Sequence, residues 1–386
     1  MQKPTPRRKL SLLFPVCLVC VFAGSVRAQN FHGIQFHGFA NQAFLYSSDN
    51  NYLTMQSNSG SWRWTDGAIS ATDSLTDSFR LGAQIHMYQL GELGGANLQL
   101  DWATGDYKVN DSFGFRAGKV KTVEGLFNDS QEVDASFLWI LLPQSTYPVD
   151  NQSFTLSHLG GDVYGYIPLG KRSGTLHYTA YIGYNSLDEN GGYVKQLADD
   201  GLAFKEPPGG KTYGGDVRWA AAMRGLTAGC SAIVMGLDGS APAGIPQVPS
   251  FLVNTEYAQF TKGKFYLAGE FRSTPPAKAL TLELKTFPVP DDYRAWYAMG
   301  SYRLASKLHV GTYYSHYLNK SISTPTPAKY SKDWVLSARY DFNPYFYGKI
   351  ESHFLHGTGL GYYGTDNPNG LKPNSDILAA KIGFSF

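Results

Sequence analysis

Beyond its first 28 residues the chain contains no run of roughly 18 consecutive apolar residues, the least a membrane-spanning helix needs, yet segment after segment alternates apolar and polar side chains. A period of two sends successive side chains to opposite faces of a strand. Across 78–89, Phe79, Leu81, Ala83, Ile85 and Met87 fall on one face and Arg80, Gln84, His86 and Tyr88 on the other. Leu98, Leu100 and Trp102 oppose Asn97, Gln99 and Asp101 in the same way, and Leu176, Tyr178, Ala180, Ile182 and Tyr184 share a face. Phe265, Leu267, Gly269 and Phe271 lie opposite Glu270 and Arg272, while Trp334, Leu336, Ala338 and Tyr340 oppose Ser337, Arg339 and Asp341. One such strand suits a soluble sandwich, but a sandwich of 386 residues would divide into domains, and no linker is visible. The pattern predicts an all-β fold, a transmembrane antiparallel β-barrel, because a closed barrel pairs every backbone group between strands inside hydrocarbon.

The predicted strands are 33–46, 61–72, 78–89, 96–104, 113–121, 160–168, 174–186 and 212–221 in the first half. The second half adds 226–236, 251–261, 264–273, 292–304, 307–318, 332–342, 345–356 and 376–386, about 16 in all and an even number, as bacterial barrels have. Tight links follow even-numbered strands, at Lys262–Gly263, Ala305–Ser306 and Asn343–Pro344, and long ones follow odd-numbered strands, at 187–211, 274–291 and 357–375. Both termini then lie on the short-turn side, which is periplasmic in such barrels.

Composition agrees: aromatics make up 15% and Gly 42 positions, against only 17% charged residues and a mean hydropathy of -0.25. Arg7, Arg8 and Lys9 followed by the apolar stretch 10–26 read as an export signal cut after Ala28, leaving 29–386 as a single barrel domain. Loss of five bases and no acid turns the formal charge from +2 to -3, so no basic footprint for nucleic acid remains. Cys17 and Cys20 leave with the signal, and the lone Cys230 excludes a disulfide framework and paired-cysteine metal sites.

The stretch Arg116, Gly118, Lys119, Lys121, Gly125, Phe127, Asn128 and Asp129, resumed at Leu141, Leu142, Pro143, Gln144, Ser145 and Tyr147, resembles a motif of Gram-negative outer-membrane porins, including relatives of the phosphate-selective porins. His37, Gly38 and Phe39 with Tyr46, Ser47, Asp49 and Asn50 are similar to the first strand and loop of such proteins. Val123 stands where a Pro is usual and Gln131 where an Arg is usual, which puts an anion preference in doubt. The resemblance implies that the third long loop, 122–159, folds into the lumen, with Arg116, Lys119, Lys121, Glu124, Asp129, Glu132 and Asp134 at the constriction; a solvated extracellular loop is the alternative. It also implies an outer-membrane location, contact with outer-membrane lipid, a homotrimer, and reading of the terminal Phe384 and Phe386 by the barrel-assembly machinery.

Alternation puts Arg80, Arg116, Arg218, Arg272, Arg303, Arg339 and Lys349 on lumen faces, with Asp101, Asp216, Glu270, Asp341 and Glu351 as their acidic counterpart. Their slight basic excess points to a weak anion preference, or else the mixed charges pair across the wall. Trp62, Trp64, Trp219, Trp296, Tyr302, Tyr313 and Tyr314 suit interfacial girdles better than a sugar track. Enzyme chemistry finds no support: the histidines are scattered, no Gly-x-Ser-x-Gly or two-His helix motif occurs, and Gly210–Lys211–Thr212 lacks the first glycine of a phosphate loop at Lys205. The expected function is passive diffusion of small hydrophilic solutes without cofactor or metal. A non-conducting receptor or adhesin barrel that uses its long loops is the alternative.

Overall fold

The structure is a computed structural model and describes residues 30–31, 33–199, 209–237, 248–275 and 292–386. The export signal and parts of three long connections therefore lie outside the described residues. The strands are β1 (Asn30–Phe31), β2 (Ile34–Ser47), β3 (Ser61–Ser74), β4 (Phe79–Leu90), β5 (Leu98–Asn110) and β6 (Phe113–Lys121). Next come β7 (Ser157–Gly170), β8 (Gly174–Ser186), β9 (Gly209–Ala220), β10 (Leu226–Leu237), β11 (Val248–Lys262) and β12 (Phe265–Thr274). The last five are β13 (Tyr293–Arg303), β14 (Leu308–Asn319), β15 (Tyr330–Asp341), β16 (Phe346–His356) and β17 (Asn374–Ser385).

β1 is a two-residue segment on the edge of β2; the other 16 strands form one antiparallel sheet in chain order that closes on itself through β17 and β2. The seam runs from Ile377 opposite Ser47 to Ser385 opposite Phe39. One residue further on, Phe386 and Gly38 exchange both backbone hydrogen bonds, at 3.0 and 3.1 Å. Closure removes every open edge, the condition for crossing hydrocarbon. Each expected strand is present, with ends that move by up to six residues, and the described chain begins and ends at the short-turn rim.

Alternation sorts the side chains as expected along most strands. Ile69, Ile85, Leu98, Leu159, Ile182 and Ile382 stand exposed on the outside, a surface that only an apolar surrounding would cover. Two expectations fail. Trp102 does not share the outer face with Leu98 and Leu100, because a bulge lets Gln84 pair with Trp102 while Ile85 pairs with Leu100. The extra residue, Asp101, turns inward together with the indole, which lies against Gly82. Trp64 and Tyr313 are not girdle residues either: both are buried inside, Trp64 beneath the Lys381 ammonium at 4.4 Å and Tyr313 against Trp139.

Candidate functional site

Residues 122–156 join β6 to β7, so the connection ends three residues before 159. Apart from short 3-10 turns and the single-turn helix α1 (Gln152–Thr155), this loop has no regular structure. Most of it is buried, so its backbone groups need partners from outside the loop. Inward-facing side chains of the wall provide them. Glu351 on β16 accepts the N–H groups of Ile140 and Leu141 at 3.0 and 2.9 Å. Glu270 on β12 accepts the Leu126 N–H at 3.2 Å and the hydroxyls of Tyr147 and Tyr297 at 2.6 Å each.

Cations take the carbonyls. Arg218 donates to Gly125 O at 2.9 Å, Arg272 to Thr146 O at 2.6 Å, and Arg339 to Ala135 O and Phe137 O at 2.6 and 2.9 Å. Lys349 donates to Asp134 O and Trp139 O at 2.7 and 2.9 Å. The wall charges are thus spent on holding the loop more than on pairing with one another.

Loop acids complete the attachment. Asp134 lies between Lys349 and Lys381, at 3.0 and 2.9 Å, and accepts the Tyr347 hydroxyl at 2.8 Å. Burial alone would push this carboxyl up; the two ammonium charges outweigh it and hold Asp134 well below the usual carboxylate range. Glu124 pairs with Arg272 at 3.1 Å. Glu132 pairs with Lys121, and burial still pushes it above its ordinary value. Asp129 offers its carbonyl to Lys121 at 2.9 Å. Arg116 meets Asp162 of β7 at 2.8 Å. Lys119 stands apart: its register partner is Leu159, exposed on the outside, and its ammonium reaches the Leu100 carbonyl.

Of the remaining wall residues, Arg80 pairs with Asp106 at 3.3 Å and Asp101 accepts a bond from Gln84 at 2.9 Å. Arg303 stays exposed at the short-turn rim. Alternation along β17 would have placed Lys381 inside, between the outward Ala380 and Ile382, but its part in holding the loop has no local signature. Tyr297 and Tyr347 have no local signature for the same reason, and Tyr147 is marked only by the resemblance, with no sign of its bond to Glu270.

The first loop also packs inward, which its polar sequence does not suggest. Tyr52, Leu53 and Met55 join Leu45, Trp64, Leu90 and Ile377 of the wall and Ile140 and Leu141 of the third loop in one apolar cluster. Leu53 donates to Gly361 O at 2.9 Å, and the Tyr363 hydroxyl donates to Asp150 at 2.8 Å, so the last loop closes over both. As a result each of the 16 strands carries an inward residue less than a tenth exposed, from Asn41 on β2 through Asp216 on β9 to Ala379 on β17. One cavity left beside the loop, between Trp64, Asp66, His86, Gln99, Asp101 and Gln152, measures about 30 Å³, room for little more than a water. Wider spaces of about 260 and 380 Å³ lie beside Arg80 and Arg116 and beside Phe127 and Arg303.

A closed 16-stranded antiparallel barrel with its third long loop held against the inner wall is the porin fold. Solved structures agree. The chain superposes on Salmonella typhi OmpF in complex with daunomycin with a TM-score of 0.59 at 12% identity, over 92% of this chain and 97% of that one. An anion-selective porin from Comamonas acidovorans gives 0.57 at 12% identity over 92% and 99%, and the outer membrane channel DcaP of Acinetobacter baumannii 0.52 at 10% over 92% and 97%. At these identities the likeness is one of fold. No protein-family model and no curated protein sequence matches the chain.

Proposed function

We propose that the chain is an outer-membrane channel of the porin type that passes small hydrophilic solutes by passive diffusion, with the third loop setting the bore. The observation that carries this reading is the number of wall charges committed to that loop: Glu270, Glu351, Arg218, Arg272, Arg339 and Lys349 each bind its backbone. A pore whose width is set by an inserted segment needs that segment fixed. Arg116 and Lys121 of β6 and Asp129 of the loop line the narrow passage in this reading; Glu124, Glu132 and Asp134 are buried as the loop's attachments and Lys119 faces outward. Because most of these charges are paired, anion preference is weak, and kinship with phosphate-selective porins contributes the fold more than the selectivity. The proposal includes export by the first 28 residues, recognition of Phe384 and Phe386 by the assembly machinery, an outer-membrane lipid surrounding and a homotrimer; OmpT of Vibrio cholerae, similar in fold, has a trimer form.

A second reading keeps the barrel but not the conduction. The buried inward residue that every one of the 16 strands carries favours it: a barrel whose lumen is filled by its loops would serve as a receptor through its outer loops. Swelling of liposomes containing the refolded protein, in sugars of increasing size, separates the two. Size-dependent swelling supports the channel; none, with the barrel demonstrably folded, supports the receptor.

A further inference from the structure

A space of about 380 Å³ lies under the third loop at the short-turn rim, and its lining differs in kind from the rest of the lumen. Its roof is aromatic and apolar: Phe127, Phe137 and Trp139 from the loop, faced by Tyr266 of β12. Phe127 and Phe137 meet edge to face at 5.5 Å, which fixes the ring planes that a ligand would touch. Its mouth is cationic. Arg303 and Lys264 supply the charge beside His309, and no acid lines it. Elsewhere in the lumen each arginine is bonded to a carboxylate or to the loop backbone, but the side chains of Arg303 and Lys264 form no ion pair or hydrogen bond among the described residues. Asp341, the acid that acts on His309, is held by Arg339 at 2.8 Å. The two free cations are neighbours, since the Arg303 N–H donates to the Lys264 carbonyl at 3.0 Å.

We propose that this pocket is a binding site for a small monocarboxylate with an aromatic or compact apolar body, the ring against Phe137 and Trp139 and the carboxylate at Arg303 and Lys264. Unpaired cations beside edge-to-face rings match an anion that is apolar at its other end, and a guanidinium is the side chain best shaped for a carboxylate. The volume sits at the small end of ligand pockets, which favours one ring over a larger solute. A fully hydrated inorganic anion gains nothing from the aromatic roof. The inference rests on the channel reading only for its role in passage; binding at the site stands without it.

The test is saturation-transfer NMR and calorimetry of the refolded full barrel with benzoate and with its neutral isostere benzamide. Benzoate is expected to bind and benzamide to bind at least roughly tenfold more weakly. The double variant Arg303→Ala/Lys264→Ala, altered only at the exposed rim, is expected to lose the preference for benzoate, and Phe137→Ala to weaken both ligands. Equal binding of benzoate and benzamide, no binding of either, or a double variant that behaves as the parent would overturn the proposal. Binding of benzoate by a barrel that passes no solute would retain the site and remove the channel reading, so the two failures are distinguishable.

Discussion

The Glu351 carboxylate accepts the backbone N–H of Leu141 at 2.9 Å, across 210 residues of sequence, and its other oxygen accepts the neighbouring N–H of Ile140. A single wall residue thereby fixes the loop where it crosses the lumen. His353, bonded to Glu351 at 3.0 Å and to Asp333 at 2.8 Å, holds the carboxylate in place. Glu351→Ala strands two buried amides, at about 1–3 kcal/mol each. We expect the barrel to persist, a lower urea midpoint, and larger, noisier single-channel currents. An unaltered current would show that the loop does not depend on this attachment.

Asp134 keeps its own share of the attachment over the ordinary pH range. Its seated value lies below that of a free carboxyl, so its contribution is complete above about pH 4 and is lost only as pH falls through the depressed value. The loss of attachment that belongs to Asp134, read as a rise in conductance that Asp134→Asn abolishes, should appear only in stronger acid, below about pH 4. Asp134→Asn, which leaves Lys349 and Lys381 buried without a counter-charge, should release the loop at neutral pH and expose it to protease.

Gly125 begins the inward course with φ +61, and a Cβ there would collide with Glu270 Oε2 and the Tyr147 hydroxyl. Gly125→Ala should displace the loop at a cost on the order of 1–3 kcal/mol and raise conductance, while leaving the melting of the barrel wall nearly unchanged. A fall in wall stability without a conductance change would place the role of Gly125 in the strands instead.

Most of the fold was legible because a barrel strand carries its whole instruction locally, in a period of two. The exceptions have physical causes. Trp102 turned inward because one extra residue at Asp101 shifts the register, and a bulge has no signature in hydropathy. Arg218, Arg339 and Lys349 were legible as inward charges, but their work was not, since their partners are carbonyls of a loop up to 215 residues away. The inward packing of Tyr52, Leu53 and Met55 depends on Ile140 and Leu141 arriving from another loop, a purely tertiary event.

Phe386 closes the seam by pairing with Gly38, and its ring covers the Gly38 backbone. If the aromatic end is an assembly signal as well as a seam, deletion of Phe386 should lower the yield in the outer membrane of cells far more than the yield of refolding in detergent. Equal losses in both would assign the residue to the seam alone.

The most direct test of the account is the single-channel conductance of the refolded protein in a planar bilayer, before and after replacement of residues 123–155 by a short Gly-Ser link. The account predicts small, steady channels for the intact chain and a several-fold larger conductance once the loop is gone. Equal conductance from both proteins, or none from either when both are folded, would contradict it.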